Sequence, residues 1–538
     1  MHDPALTSLF PTPAEIPERF RWTPDDSGLA LLVDGEVHRA GAGGTVRAAV
    51  ALRGTDGAGG ALSPLELGPA ALGGETEGRA AVEAAARAWA GGRGEWPCSS
   101  VAERLACCRD WLARIAPLRE RVALALMWEV GKPWKDALAE FDRTVDYARA
   151  TLETLAALER DAAAPVVAGG FAARVRRAPL GVALCMGPYN YAINEVFTLV
   201  VPALVMGNPV VIKTPRYGVL ANALLAPALA ASFPRGAVNL VTGPGPAVVG
   251  PMMTSGLVDV LAFIGSPRTA ALLERQHPRP YRLRRVLGLG AKNPAIVLAD
   301  ADLPRAAAEI VAGALTFNGQ RCTAIKQVLV DRRVADALVG LLAEKVAALG
   351  VRMPWSEGVT ITPMPDPEHP AYLHGLIEDA TARGARVVNR DGGAAAGTLM
   401  RPALLYPVAP TARLFVEEQF GPLLPVSTFD DPEEALAVVE RSEFGQQVAL
   451  FGRDAAVVGP LVDHLANLVC RVNLDTQCRR GPDVYPFTGR KDSAVGTLSV
   501  SDALRVFSIR SLVAAPAGEA ARLTALGATS RFLAPPPE

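Results

Sequence analysis

Gly181-Val182-Ala183-Leu184-Cys185-Met186, running on into Gly187-Pro188-Tyr189-Asn190-Tyr191, is a short apolar run that ends on turn-forming residues. An apolar run of this length without polar alternation fits a strand buried on both faces, as in a parallel sheet covered by helices. From there strand-like and helical segments alternate to about residue 290, which predicts an α/β domain. The rhythm resumes through Ala295-Ile296-Val297-Leu298, a helix over 303–316, a strand Gln327-Val328-Leu329-Val330 and a helix over 334–349, so a second α/β domain is expected. Upstream, residues 78–160 carry a period near 3.6, with Val101, Leu105, Cys108 and Leu112 on one face, and read as helices. Leu31-Leu32-Val33-Asp34-Gly35-Glu36-Val37 reads as a hairpin with an Asp-Gly turn. The Ala-rich end from about residue 515 is expected to be a loosely held appendage.

A chain of 538 residues exceeds what one hydrophobic core usually supports, so two or more domains are expected. Half of the residues are hydrophobic, a fifth are charged, and the net charge is -1. That balance offers no footprint for nucleic acid or for an anionic membrane surface. The start, Met1-His2-Asp3-Pro4-Ala5, lacks the basic and apolar pattern of a signal peptide, and no run of about 18 apolar residues is found. A cytoplasmic enzyme is the expectation. The seven cysteines are an odd number without metal-type spacing, and the six histidines do not cluster with them, so neither disulfides nor a metal site is expected.

One cysteine has distinctive company: Phe317-Asn318-Gly319-Gln320-Arg321-Cys322-Thr323-Ala324. A nucleophilic thiol needs a shaped, electropositive setting, and a carbonyl that it attacks needs donors for the developing oxyanion. Glycines at Gly243-Pro244-Gly245, Gly250 and Gly265-Ser266 follow strand-like segments, where backbone N–H groups at helix starts can meet a pyrophosphate. None forms the usual Gly-x-Gly-x-x-Gly fingerprint.

Together with Met186–Tyr191, Lys213, Phe263-Ile264-Gly265-Ser266, Ala291-Lys292-Asn293-Pro294 and Glu417–Pro422, the Cys322 block resembles the aldehyde dehydrogenase superfamily, with the blocks in the family's order. The resemblance implies that fold: a Rossmann-like cofactor domain (1–165 and 180–290), an α/β catalytic domain (291–495), a small β oligomerisation element (166–179 and 496–514) and a tail (515–538). It implies Cys322 as nucleophile, with the Asn190 amide and the Cys322 N–H as the oxyanion hole. Pro188, Lys213, Gly243, Gly265 and Ser266 would line the cofactor site, with Glu418 on the nicotinamide ribose and Phe420 beside it. Ile264 and Ala270 stand where the family usually has Thr and Gly. Arg216 stands where many NAD-using members carry Glu, and a cation near the ribose favours NADP over NAD. The strand Val506–Ser511 would extend a neighbour's sheet, implying a homodimer or homotetramer.

Within the family, Gly-Gln-Arg-Cys-Thr-Ala-Ile-Lys and Arg480-Gly481-Pro482-Asp483 look most like the non-phosphorylating, NADP-dependent glyceraldehyde-3-phosphate dehydrogenases. That implies an aldehyde substrate, glyceraldehyde 3-phosphate, with its phosphate met by Arg143, Arg321, Arg480 and Tyr191. Taken alone, Arg143 could instead pair with Glu140 or Asp142. One departure bears on turnover. The family's usual Glu-Leu-Gly-Gly-Lys reads Gly288-Leu289-Gly290-Ala291-Lys292 here, and no Glu occurs between Glu274 and Glu309. The residue that would activate water on the thioester is absent. Hydrolysis by another base such as Glu418, transfer to coenzyme A or an amine, reductive working, and a cofactor-binding scaffold without turnover all stay open.

Overall fold

Runs of buried Val, Leu, Ile and Ala build the two large sheets of the chain. The computed structural model of the protein describes residues 3–39, 41–54 and 61–535. In the first sheet the strands Val238–Val241, Val210–Lys213, Ala183–Met186, Val260–Ile264 and Arg284–Gly288 lie side by side and parallel. Ala30–Val33 and Glu36–Arg39 extend one edge antiparallel, through the left-handed turn at Asp34 and Gly35 that the Asp-Gly pair predicts. The central strands read apolar without alternation because helices cover both faces; Leu184, Val211 and Leu261 are all 0% exposed. Fully burying such a side chain contributes about 1.5–3 kcal/mol. Chain order reverses between Ala183–Met186 and Val260–Ile264, and such a switch point opens a crevice at the carboxyl ends of the strands.

The second sheet orders Arg386–Val387, Ala403–Tyr406, Leu423–Phe429, Gln327–Asp331, Pro294–Val297, Gln447–Phe451 and Arg471–Leu474, parallel apart from the first. The upstream helical block holds Glu75–Trp89, Val101–Ile115, Arg119–Val130 and the 28-residue Trp134–Asp161. A third sheet, antiparallel, joins Ser508–Pro516, Phe171–Pro179 and Val166–Ala168. Among the described residues no helix is long and apolar enough to cross a membrane.

Three expectations need revision. The strand expected at Val506–Ser511 begins at Ser508, because Val500–Val506 is a helix with Val500, Ala503 and Leu504 buried against the core. The tail is docked: Ala520–Leu526 is helical, Leu523 and Leu533 are 2% and 3% exposed, and Arg176 donates to the carbonyls of Phe532 (2.5 Å) and Ala534 (3.0 Å). Finally, Ala494–Val495 crosses back to pair with Arg284–Gly288, so the end of the segment expected in the catalytic domain closes the cofactor sheet.

Candidate active site

A cleft of about 1390 Å³ runs between the two sheets. Its walls come from loops that follow Met186, Lys213 and Ile264 in the first sheet and from residues that precede Pro294, Gln327 and Leu423 in the second. Cys322, Asn190, Pro188, Tyr191, Lys213, Arg216, Gly265, Ser266, Glu418, Phe420, Arg143, Arg321 and Arg480 all border it.

The Cys322 loop is bent by three successive left-handed residues, Phe317 (φ 53°), Asn318 (φ 58°) and Gly319 (φ 69°). A non-glycine residue there costs roughly 1–2 kcal/mol, so the surroundings must impose the bend. They do so by hydrogen bonds: Asn318 Oδ1 accepts from the Thr362 N–H (2.8 Å), the Tyr189 hydroxyl donates to Gln320 Oε1 (2.9 Å), and Asn190 Nδ2 donates to the Gln320 carbonyl (2.7 Å). A side chain at Gly319 would press to 2.7 Å from the carbonyls of Ala314 and Gly421. Asn293 Nδ2 and Lys326 Nζ each donate to the Cys322 carbonyl at 2.8 Å. The carbonyl is thereby satisfied by two buried donors. Burial pushes the Cys322 thiol up; Glu195 and Glu418 add to this, while Lys326 and Arg480 oppose it.

Asn190 is 3% exposed, and one hydrogen of its amide goes to Gln320, leaving the second for a ligand. Its position depends on two residues that pattern reading passed over. Lys132 and Glu140 form a buried ion pair; Lys132 also donates to the Asn190 carbonyl (2.7 Å) and lies 3.8 Å from the centre of the Tyr191 ring. Glu140 Oε1 accepts from the N–H groups of Ile193 (2.9 Å) and Asn194 (3.2 Å), capping the helix Asn194–Val205 that follows. Lys326, the last residue of the Cys322 block, is buried between Cys322 and Glu418 and lies 3.1 Å from Glu418 Oε1. Lys132 and Glu140 carry no motif and are revealed by their long-range contacts, whereas Lys326 closes the Gly-Gln-Arg-Cys-Thr-Ala-Ile-Lys block.

All three arginines border the cleft, each already engaged, and Arg143 and Arg480 share Asp483. Arg480 forms a buried ion pair with Glu195 and lies 3.6 Å from Asp483, while its Nε and Nη2 are buried without a hydrogen-bond partner. Arg143 pairs with Asp483 (2.9 Å) rather than with Glu140 or Asp142. Asp142 is taken by Arg119. Arg321 Nη2 donates to the carbonyls of Ala312 (3.2 Å) and Gly313 (2.6 Å) near the end of the helix Leu303–Leu315, with its Nε unpartnered.

On the side of the first sheet the cleft has the donor set of a dinucleotide site. Helix Gly245–Thr254 starts at the cleft with no side-chain cap, and an added Cβ at Gly245 or Gly250 would meet open space. Helix Pro267–Gln276 starts there too, with Ser266 as its N-cap. Such helix starts offer N–H groups to phosphate. Lys213, with burial as the cause, is pushed down to about 8, and it has no acidic partner among the described residues. Arg216 stands at the rim, 72% exposed, with Asp366 3.9 Å away. Gly243 falls outside the wall: its φ of 134° and the closeness of Gly73 and Val248 make it a packing glycine, and Gly245 and Gly250 line the cleft instead.

Gly288 ends its strand, its carbonyl accepting from the Gly265 N–H (2.9 Å); a Cβ there would lie 3.3 Å from Ile264 Cγ1. At Gly290 a Cβ would come within 2.8 Å of the Phe444 ring and 3.0 Å of Glu418 Oε2. Neither position presents a carboxylate.

Comparison with known proteins bears on this arrangement. The sequence model of the aldehyde dehydrogenase family matches residues 65–512. An NADP-dependent glyceraldehyde-3-phosphate dehydrogenase of Streptococcus equinus is 36% identical over 412 residues, 74% of this chain and 83% of that protein. One of Pisum sativum is 33% identical over 72% of this chain and 78% of its own length. Among solved structures, the NADP-dependent glyceraldehyde-3-phosphate dehydrogenase of Bacillus halodurans C-125, complexed with NADP, superposes with a TM-score of 0.81 at 31% identity, covering 91% of this chain and 99% of that one.

Proposed function

The chain belongs to the aldehyde dehydrogenase family, and on that premise we propose that it oxidises an anionic aldehyde, glyceraldehyde 3-phosphate first, with NADP as acceptor and Cys322 as nucleophile. The observation that carries this reading is that one cleft is lined by Cys322 and Asn190, by a dinucleotide-type donor set and by Arg143, Arg321 and Arg480. In this reading the Cys322 sulfur, as thiolate, adds to the aldehyde carbon. The resulting oxyanion takes the second hydrogen of the Asn190 amide and the Cys322 N–H, donors already fixed before reaction. Lys213, Arg216, Gly245, Gly250, Gly265, Ser266 and Glu418 would hold the cofactor. When bound, NADP supplies the hydride acceptor that turns the Cys322 adduct into a thioester. Among the arginines that border the cleft, Arg480 has Nη2 without a hydrogen-bond partner, a charged donor of the kind that suits an oxyanion. The relatives' names support NADP and glyceraldehyde 3-phosphate as the first pair to assay.

Two substitutions test the substrate and the cofactor contacts separately. Arg143→Leu is expected to lower kcat/KM for glyceraldehyde 3-phosphate about 10- to 100-fold, the worth of one or two charge-assisted hydrogen bonds, and to leave an uncharged aldehyde such as propanal nearly unaffected. Equal losses on both substrates would remove phosphate recognition from the reading. Arg216→Glu is expected to shift the ratio of NADP to NAD affinity about 10- to 100-fold towards NAD, since two unit charges 4 Å apart in water interact by about 1 kcal/mol and the reversal counts this twice. A ratio unmoved within error means that residue 216 does not face the 2′-position.

A homodimer or homotetramer belongs to the same proposal. Ser508–Pro516 is the outer strand of its sheet, and Ile509, Leu512, Val166, Val167 and Phe171 are all exposed on that element.

A further inference from the structure

A thioester on Cys322 must be cleared, and the position where a base is expected is Gly288. Among the described residues, two carboxylates line the cleft, Glu195 and Glu418. Glu418 is committed: Lys326 lies 3.1 Å from its Oε1, its Oε2 abuts Gly290, and in the reading above it holds the cofactor ribose. Glu195 pairs with Arg480 but, unlike Glu418, has no part in holding the cofactor in that reading. It sits in the first turn of the helix Asn194–Val205, five residues beyond Asn190, whose amide touches the Cys322 loop. Its side chain is 8% exposed, and among the charges acting on the thiol it acts most strongly. Arg480 holds its Oε2 and fixes the carboxylate's place, while Oε1 has no protein partner among the described residues. Its burial is compensated on the Oε2 side by Arg480, which leaves Oε1 to meet water or a ligand.

We propose that Glu195 is the general base that activates water to release the acyl group from Cys322. Glu195 Oε1 takes a proton from water as the water oxygen bonds to the thioester carbon. The tetrahedral adduct collapses, the C–S bond breaks, its electron pair stays on sulfur, and the proton passes from Glu195 to the departing thiolate or to solvent. The products are a carboxylic acid and the free thiol; nothing is oxidised or reduced in this step. The assignment rests on Cys322 as the acyl carrier, but on neither the aldehyde nor NADP.

The test therefore uses p-nitrophenyl acetate, which acylates a competent thiol without cofactor. The unmodified protein is expected to release one p-nitrophenolate per active chain in a burst and then turn over steadily. Glu195→Gln should keep the burst, slow the steady state on the order of 10²–10⁴-fold and accumulate acetylated Cys322 by intact mass. Hydroxylamine, which attacks a thioester without an assisting base, should restore release in that variant. Glu195→Asp, which keeps the charge facing Arg480, should slow deacylation less and leave acylation unchanged; it carries the test if Glu195→Gln fails to fold. Deacylation at the unmodified rate in either variant overturns the proposal, as does slowing in Glu418→Gln but not in Glu195→Gln, or loss of the burst in a folded Glu195→Gln. If acetyl-enzyme forms and clears in a Glu195-dependent way while no aldehyde reduces NADP, the substrate reading fails and the base assignment stands.

Discussion

Cys322→Ala is expected to bring aldehyde-dependent NADPH formation down to the background without enzyme, with NADP binding, followed by fluorescence or calorimetry, unchanged within about twofold. The separation follows from where the residues sit. Lys213, Arg216 and the helix starts at Gly245 and Pro267 belong to the first sheet, whereas Cys322 is carried on the loop before Gln327–Asp331 in the second. That loop is held by contacts to the Cys322 carbonyl and to Gln320, not to the thiol, so removing sulfur leaves the bend in place. What disappears is the nucleophile, and without a covalent adduct no hydride-donating carbon is created. Turnover by the alanine variant at even a hundredth of the normal rate would place the chemistry on another residue. The resting thiol is pushed up by burial, so its reaction with iodoacetamide in the unmodified protein should still be rising with pH above the usual thiol range.

The apolar strands, the helical block and the Asp34-Gly35 hairpin were legible in the sequence because each is a local pattern with a period of its own. Motifs singled out Cys322, Asn190 and the arginines, and the fold brings them all to one cleft. Illegible were features whose meaning lies in a distant partner. Lys132 and Glu140 look like ordinary charges on a helical stretch until the fold brings the Asn190 turn onto them. Glu195 looks like a favourable acidic residue in a first helical turn, and only the return of the chain 285 residues later sets Arg480 against it. The docked tail escaped for the same reason: an Ala- and Pro-rich end reads as loose by composition, while Leu523, Leu533 and the carbonyls that Arg176 reaches act through tertiary packing. Gly243 misled in the opposite direction, because a glycine after a strand suggests a phosphate loop whether the space beside it is open or filled by backbone.

The Arg480–Glu195 pair is where stability and function meet, and it supports a second large effect. Both side chains are nearly removed from solvent, at 6% and 8% exposure. Breaking a buried pair by deleting one partner typically costs about 3–5 kcal/mol, since the other charge keeps its desolvation penalty and loses its compensation. Arg480→Met is therefore expected to lower the free energy of unfolding by about that amount, read as a fall in the urea midpoint. Deleting the acid should cost less, because Arg480 would retain Asp483 at 3.6 Å, whereas Glu195 has no second cation paired with it among the described residues. The double variant Arg480→Met/Glu195→Leu, which replaces the pair with apolar groups, should recover most of the loss. If the double variant is no more stable than Arg480→Met, the pair is not what sets the cost, and packing of Arg480 against Phe487, 4.6 Å from its ring centre, becomes the explanation. Recovered stability would not bring back turnover, because the same double substitution removes both the cation proposed to meet the substrate anion and the proposed base. The cleft would then be shown to keep a buried ion pair for its chemistry at no gain in stability.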